Sequence, residues 1–257
     1  MFKGSKKKKA DQLLAEGIHL FSKEMYQEAI KELKKAKEIF AKLKLTNEEE
    51  ICEAYEKLAE GEIFRQKGQF REATASFGRA NVLLSSNHRI EESKIARSKQ
   101  ASAMEAMAKK RASAGEFIES ARLYESCAAI YETIEQPKFS SRSHSQVQSK
   151  DAARARARSY LQRAAAVRDN DFDKAEFLFQ ALEAFRAAGE YPPLIEAHAY
   201  FYKGRALVAS QTDEAVSFLA RAAEKYSEAG AEKQFIKVRE YLQGLRDKVE
   251  ARPFDYR

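Results

Sequence analysis

Residues 70–84 read FREATASFGRANVLL, and small and large side chains alternate along this stretch at helical spacing. Ala73, Phe77, Ala80 and Leu84 follow one another in steps of four, three and four residues. Such steps place all four on one stripe of a helix, where large residues supply buried area and small ones let a neighbouring backbone approach. The stretch therefore predicts a helix that packs tightly against other helices.

The same spacing recurs elsewhere in the chain, although one copy is imperfect. Three further copies keep the order of small and large residues, at Ala29, Leu33, Ala36 and Phe40, at Ser120, Tyr124, Cys127 and Tyr131, and at Ala215, Leu219, Ala222 and Tyr226. The imperfect copy begins with a lysine and reads Lys174, Leu178, Ala181 and Phe185. Because Ala175 is the next residue, a local shift of register explains this copy as well as a substitution does. Turn residues precede each copy and an amphipathic segment precedes each turn, so the repeating unit is predicted to be a helical hairpin.

The hairpins follow one another along the whole chain. We expect about five of them, at residues 7–43, 46–85, 88–134, 138–188 and 191–228, and a closing helix at residues 231–250. The closing helix has one apolar and one charged face, which suits the end of a repeat array. The predicted fold class is therefore all-α, a right-handed α-α superhelix, or solenoid. Links between hairpins are short, so residues 1–257 are predicted to form a single domain with flexible tails at 1–9 and 251–257.

The composition agrees with a helical chain and excludes several classes of protein. Four prolines and ten glycines in 257 residues leave few helix breaks. No apolar run reaches the roughly 18 to 20 residues needed to cross a bilayer, and the basic start has no apolar signal core behind it. The two cysteines, Cys52 and Cys127, are far apart and do not indicate a disulfide framework. We therefore expect a cytoplasmic protein.

Two of the hairpins resemble the tetratricopeptide repeat. Residues 58–80 match it through Gly61 and Phe64 on the first helix, Gly68 in the turn and Ala73, Phe77 and Ala80 on the second helix. Residues 13–36 match it through Gly17, Leu20, Ala29, Leu33 and Ala36. The resemblance implies an adaptor or scaffold that binds a segment of another protein in a concave groove, which is lined by the first helices.

The spacing between repeats is longer than in that family. The equivalent small residues are separated by more than the roughly 34 residues of a tetratricopeptide repeat, at Ala36, Ala80, Cys127, Ala181 and Ala222. Longer hairpins of this kind also resemble the solenoid of the SNAP adaptors, which link membrane-fusion complexes to their disassembly ATPase. That resemblance implies a membrane-trafficking adaptor as an alternative function. The acidic, leucine-containing C-terminus of the SNAP proteins is not matched by residues 255–257, which read DYR.

Residue patterns typical of catalysis and metal binding are missing from the sequence. The four histidines lie on separate hairpins and neither cysteine has a histidine at metal-ligand spacing. The glycine-rich motifs that hold nucleotide phosphates do not occur. Cys127 fills a small position of the repeat, which indicates a packing residue rather than a nucleophile. We expect a non-enzymatic protein without a metal or cofactor.

Positive charge is concentrated in one segment. Residues 138–168 contain eight basic residues and the single acid Asp151, a net charge of +7 that equals the formal charge of the whole chain. On the first helix of the fourth hairpin, Arg154 and Arg158 form one row and Arg156 and Arg163 another, with Ala153, Ala157, Tyr160 and Ala164 between them. The arginines either solubilise the helix or bind an acidic segment of a partner protein. Nucleic acid is a weaker alternative, because aromatic residues are not interleaved with these arginines.

A second basic group lies at the start of the sequence. Phe2 and the lysine run Lys6, Lys7, Lys8 and Lys9 combine an aromatic side chain with positive charge. Two interpretations remain open, a contact with an anionic membrane and a solvated tail. The protein adaptor is the leading hypothesis, and the trafficking adaptor and a nucleic-acid-binding repeat protein are the alternatives.

Overall fold

The computed structural model describes residues 2–135 and 149–250, and helices and short turns make up both ranges. The helices are α1 (Phe2–Ser22), α2 (Tyr26–Leu43), α3 (Thr46–Gln66), α4 (Phe70–Ser86), α5 (Ile90–Ser113), α6 (Phe117–Glu135), α7 (Lys150–Ala166), α8 (Asp171–Ala187), α9 (Pro193–Leu207), α10 (Thr212–Glu228) and α11 (Glu232–Glu250). No strand occurs within these two ranges, and the predicted all-α fold class is confirmed.

The helices pair as the repeat pattern predicted. Each of the five expected hairpins corresponds to two successive helices, and α11 is the expected closing helix. The part of the fourth hairpin at residues 138–148 lies outside the described residues, as does the tail predicted at residues 251–257. The other predicted tail is different, because α1 already begins at Phe2 and residues 2–9 are helical. Lysine is a good helix former, and Ala10 is buried against Phe40 of α2, which holds this part of α1 in place.

Contacts divide the chain into two compact units. The first contains residues 1–110 and 129–139, and the second contains residues 111–128 and 140–257. In the first unit the main core contains Leu33, Leu58, Phe77 and Leu84. In the second unit Leu219, Tyr226 and Leu242 join α10 to α11, and Leu178 packs with Ala164 and Ala199. The prediction of a single domain stays a prediction.

In three hairpins a glycine of the first helix lies directly opposite a large residue of the second helix. A Cβ on Gly17 would lie 2.6 Å from Cγ of Leu33, and one on Gly61 would lie 2.5 Å from the Phe77 ring. In the second unit a Cβ on Gly204 would lie 2.7 Å from Cγ of Leu219. Real Cβ contacts are never this short. The large side chain of the second helix therefore packs directly on the glycine backbone of the first.

The imperfect copy of the repeat departs from the pattern at its two ends. On α8, Ala175 and Ala181 are completely buried, and Leu182 is buried at the end of the stripe while Phe185 is only partly buried. Lys174 lies outside the core, with its Nζ 4.6 Å from the centre of the Tyr202 ring. Ala175 thus replaces Lys174 as the first buried position, because a lysine side chain cannot occupy a small buried position, while Leu178 and Ala181 keep theirs.

Candidate functional site

The predicted arginine-bearing segment forms α7, which is buried along two sides. Ser149 caps it and accepts a hydrogen bond from the backbone N–H of Ala152. The side chains that pack inward are small, and they form two stripes, one at Ala152, Ala155 and Ser159 and the other at Ala153, Ala157 and Ala164. Arginines lie between the stripes and are partly exposed. Small residues let neighbouring helices approach α7 closely while the long arginine stems reach outward.

Arg154 is engaged in ion pairs within the second unit. Its Nη1 donates to Oδ1 of Asp151 at 2.9 Å, and its Nε donates to Glu190, which follows α8. The hydrogen bonds from Arg154 to Glu190 and to Asp151 raise the pKa of the guanidinium above its ordinary value. Arg154 therefore links the start of α7 to the turn that follows α8.

The other predicted residues fall into different surroundings. Arg156 and Arg158 are partly exposed on α7. Two further basic residues of the charged segment 138–168, Lys138 and Arg142, lie outside the described residues. Arg163, near the end of α7, lies beside a cavity. Of the four arginines predicted to bind a partner, it is the one that lines this cavity. Partner binding by these four residues stays a prediction.

The cavity lies between α6, α7 and α8 in the second unit and has a volume of about 370 Å³. Its walls are mainly apolar, with two arginines among them, and they include Ile118, Ala121 and Arg122 of α6, Arg163 and the adjacent Val167, and Phe177 of α8. Ile118 is 52% exposed, so a large aliphatic side chain borders the opening. The volume is near the lower end of the range for ligand cavities, about 300 to 1,000 Å³.

Aromatic rings and carboxylates hold the arginines of the cavity. The Arg163 guanidinium carbon is 5.9 Å from the centre of the Tyr160 ring and 6.0 Å from that of Phe177, and its Nη2 donates to Oε1 of Glu125. Arg122 forms a longer ion pair with Glu119, with 3.6 Å between Nη1 and Oε2. The arrangement combines apolar walls with two guanidinium groups and suits a ligand that is both apolar and anionic.

Sequence reasoning missed the α6 side of this site. The repeat stripe of α6 directs Ser120, Tyr124 and Cys127 inward, and Ile118 lies off that stripe. The sequence offered one indication of this site, a large apolar residue outside the core stripe. Such a side chain is unfavourably exposed to water and contributes nothing to the hairpin core.

The lysine run lies on the first turns of α1. Lys6, Lys7, Lys8 and Lys9 are exposed, and Lys7 Nζ is 3.4 Å from Oε1 of Glu48 at the start of α3. Phe2 begins the helix, and its side chain lies outside the described part of the structure. The first turn contains no acid, although acids and not lysines are favourable at the positive end of a helix dipole. The helix dipole therefore does not favour lysines near this end of α1.

Reactive groups elsewhere have the properties of packing residues. Cys52 and Cys127 are buried, and burial raises the pKa of the Cys52 thiol to about 12, which keeps it protonated at neutral pH. Burial lowers the pKa of His198, whose ring packs edge-on against Tyr226 with 5.3 Å between centres. Within residues 2–135 and 149–250 no three His, Cys, Asp or Glu side chains are grouped so that they could hold a metal ion.

Comparison with known proteins gives no relative from which a function could be transferred. No protein-family model matches the chain, and no curated protein is significantly similar to it. Among the described helices, none is both long enough and apolar enough to cross a membrane.

Proposed function

We propose that this protein is a non-enzymatic adaptor that binds a segment of another protein at the cavity between α6, α7 and α8. The tetratricopeptide-like pattern of its hairpins supports a binding role, since that family binds peptide segments in grooves lined by helices. The observation that carries the proposal is the pair Arg122 and Arg163 beside apolar walls. Apolar walls supply contact area, and guanidinium groups select for acidic partners.

A capture experiment with matched charge changes tests this function. The double variant Arg122→Ala/Arg163→Ala removes the two cavity arginines, and Arg239→Ala/Arg246→Ala removes two exposed arginines from α11 of the same unit. We expect the first variant to weaken binding of the natural partner, once captured and identified, by about tenfold or more, and the second by less than about threefold.

The salt dependence of partner binding is an independent test of the same proposal. Binding to an acidic segment should weaken as salt is added, because screening shortens the range of the charges to about 8 Å at physiological ionic strength. If the cavity variant binds the partner as tightly as the parent protein does, the proposed site is wrong. Binding to single-stranded nucleic acid with the same dependence on Arg122 and Arg163 would favour the nucleic-acid alternative.

The exposed lysines of α1 support a second candidate, a trafficking adaptor that contacts an anionic membrane. Four consecutive helical positions point in directions about 100° apart, so Lys6 to Lys9 surround the helix end rather than forming one stripe. A flat anionic surface that meets this end engages several of them at once. Each lysine near such a surface contributes about 1 kcal/mol.

Binding to lipid vesicles distinguishes the protein adaptor from the trafficking adaptor. Lys8→Ala/Lys9→Ala should weaken binding to phosphatidylserine-containing vesicles by about tenfold or more if α1 contacts the membrane. Lys233→Ala/Lys237→Ala on α11 removes the same charge and should have little effect. Equal binding to neutral and anionic vesicles, or to both variants, would exclude the membrane contact.

A further inference from the structure

Both arginines of the cavity are paired with acids that belong to the cavity's own wall helix. Ile118, Ala121, Arg122 and Glu125 are spaced at three, four and seven residues from Ile118 and so share one face of α6. Glu125 of α6 accepts a hydrogen bond from Arg163 of α7, and Glu119 pairs with Arg122 one turn away. Both guanidinium groups of the cavity are thus already paired with carboxylates of α6.

We infer that the partner segment inserts one bulky apolar side chain into the cavity and that its acidic residues replace Glu125 and Glu119 as the partners of Arg163 and Arg122. The inference rests on the proposed adaptor function and specifies its ligand. Glu119 and Glu125 are resident competitors, and they lower the affinity of the site for every acidic segment.

The ion pairs are placed where exchange is easy. Side-chain exposure is 73% for Arg122 and 51% for Glu119, and it is 38% for Arg163 and 45% for Glu125. Ion pairs this exposed are screened by water and contribute little to stability, so an incoming carboxylate replaces them at small cost. A buried pair such as Glu62 with Lys99 would resist the same exchange, because Glu62 is almost completely buried.

The aromatic rings keep Arg163 in position during the exchange. Tyr160 precedes it by three residues on α7 and Phe177 faces it from α8, so the guanidinium is held by contacts that do not depend on Glu125. A guanidinium that is already oriented loses less conformational freedom when a new carboxylate binds. Phe177 also forms part of the apolar wall, so the same ring borders the apolar side chain of the ligand and supports the arginine that binds its carboxylate.

The number of arginines favours a peptide over a single-headed lipid. Two guanidinium groups, on different helices, require two carboxylates, whereas a fatty acid carries one. The apolar walls of the cavity, which has a volume of about 370 Å³, leave room for one large apolar side chain and its neighbours. An acidic segment with one leucine, methionine or phenylalanine satisfies both conditions.

A displayed library of random 12-residue peptides, selected on the full-length protein, supplies the probe. We expect the selected peptides to share one bulky apolar residue with two or more aspartates or glutamates nearby. Their synthetic copies should bind Glu125→Gln about threefold or more tightly than the parent protein, because Arg163 then has no competing charge. They should bind Ile118→Asp about tenfold or more weakly, because the apolar border becomes acidic.

Matched controls separate the cavity from general effects on charge and folding. Ile236→Asp changes an isoleucine of α11 that is 47% exposed, and it should leave peptide affinity within about twofold. Glu232→Gln removes an exposed acid of the same helix and should not increase affinity. Thermal midpoints of all four variants should stay close to that of the parent, since each changed side chain is about half exposed or more.

The outcomes distinguish this inference from the adaptor function on which it rests. Selection of basic peptides, or of peptides unaffected by Ile118→Asp, overturns the ligand assigned to the cavity. Unchanged affinity for Glu125→Gln overturns the role of the resident acid. If the natural partner still binds Ile118→Asp normally, the adaptor function stands and its site lies elsewhere. If no peptide is selected and no partner binds in a salt-dependent way, both proposals are wrong.

Discussion

Backbone contact at a single glycine sets the distance between the two helices of a hairpin. Gly61 shows this most clearly, because the ring of Phe77 occupies the space that a Cβ would need and is itself completely buried. Gly244, on the exposed side of α11, has nothing within 4 Å of the same position. Gly61 is therefore required for packing, whereas Gly244 is not, and the two can be compared directly.

Gly61→Ala and Gly244→Ala should change stability in opposite directions. Alanine improves helix propensity by about 0.5 to 1 kcal/mol at both sites, but overpacking against Phe77 costs about 1 to 3 kcal/mol. We expect Gly61→Ala to lower the free energy of unfolding and Gly244→Ala to raise it, as measured by chemical denaturation. Stabilisation by both substitutions would show that α3 and α4 can move apart without cost.

Glu56 is a buried carboxyl group whose charge is poorly compensated. One carboxyl oxygen is buried without a hydrogen-bond partner, and burial raises the pKa of Glu56 above its ordinary value of 4.5 despite the nearby Lys37 and Lys34. A pKa that is higher in the folded state means that folding favours the protonated form. This contribution to stability is complete below pH 4.5 and is lost as the pH rises through the folded-state value.

Glu56→Gln should therefore stabilise the protein at neutral pH and not in acid. The amide has nearly the same shape as the carboxyl group and remains neutral, so it avoids the cost of a buried charge above the folded-state pKa. The expected result is a higher thermal midpoint than the parent at pH 7.5 and an equal midpoint near pH 4. A gain of the same size at both pH values would contradict the assignment.

Helix α7 is the element in which small side chains matter most. Its buried residues form two alanine-rich stripes, and its arginines occupy the sectors between them. A helix of this kind is buried through its shape rather than through large apolar side chains. This is why its mean hydropathy is low although much of its surface is covered.

Leucine substitutions on α7 distinguish its buried and exposed positions. Ala157→Leu should lower the free energy of unfolding by about 1 to 3 kcal/mol, because Ala157 is completely buried between helices. Ala165→Leu, on the exposed side of the same helix, should change it by less than about 0.5 kcal/mol. Comparable destabilisation by both would contradict the closer packing assigned to Ala157.

Sequence patterns predicted the helices better than their ends and better than the cavity. The spacing of small and large residues predicted the hairpins, and Ala175 was already considered as the small residue of the imperfect copy. The start of α1 was missed, because a lysine run has no apolar periodicity that would indicate a helix. Arg154 illustrates a further limit, since its partner Glu190 lies 36 residues away and nothing local indicates the contact.

Tertiary structure was needed to find the cavity itself. Arg163 was identified from the concentration of charge, whereas Ile118 and Phe177 were not, because their helices come together only through the packing of α6, α7 and α8. A periodic pattern shows which face of a helix is buried, but it does not show where neighbouring helices leave a gap.

At the scale of the whole molecule, the expected chemistry is binding rather than catalysis. The purified protein should not hydrolyse ATP and should not carry stoichiometric zinc, because the sequence contains no phosphate-binding loop and no set of spaced metal ligands. A phosphate-release assay and elemental analysis check these expectations. Activity or zinc that remains with the protein through several purification steps would contradict the non-enzymatic function.

The contacts of Gly17, Gly61 and Gly204 with Leu33, Phe77 and Leu219 also have an evolutionary consequence. Each pair shares one fixed volume, so a larger residue on the first helix is tolerated only together with a smaller one on the second. Homologues of this chain are therefore expected to show correlated substitutions at these pairs, while Gly244 drifts independently of its surroundings.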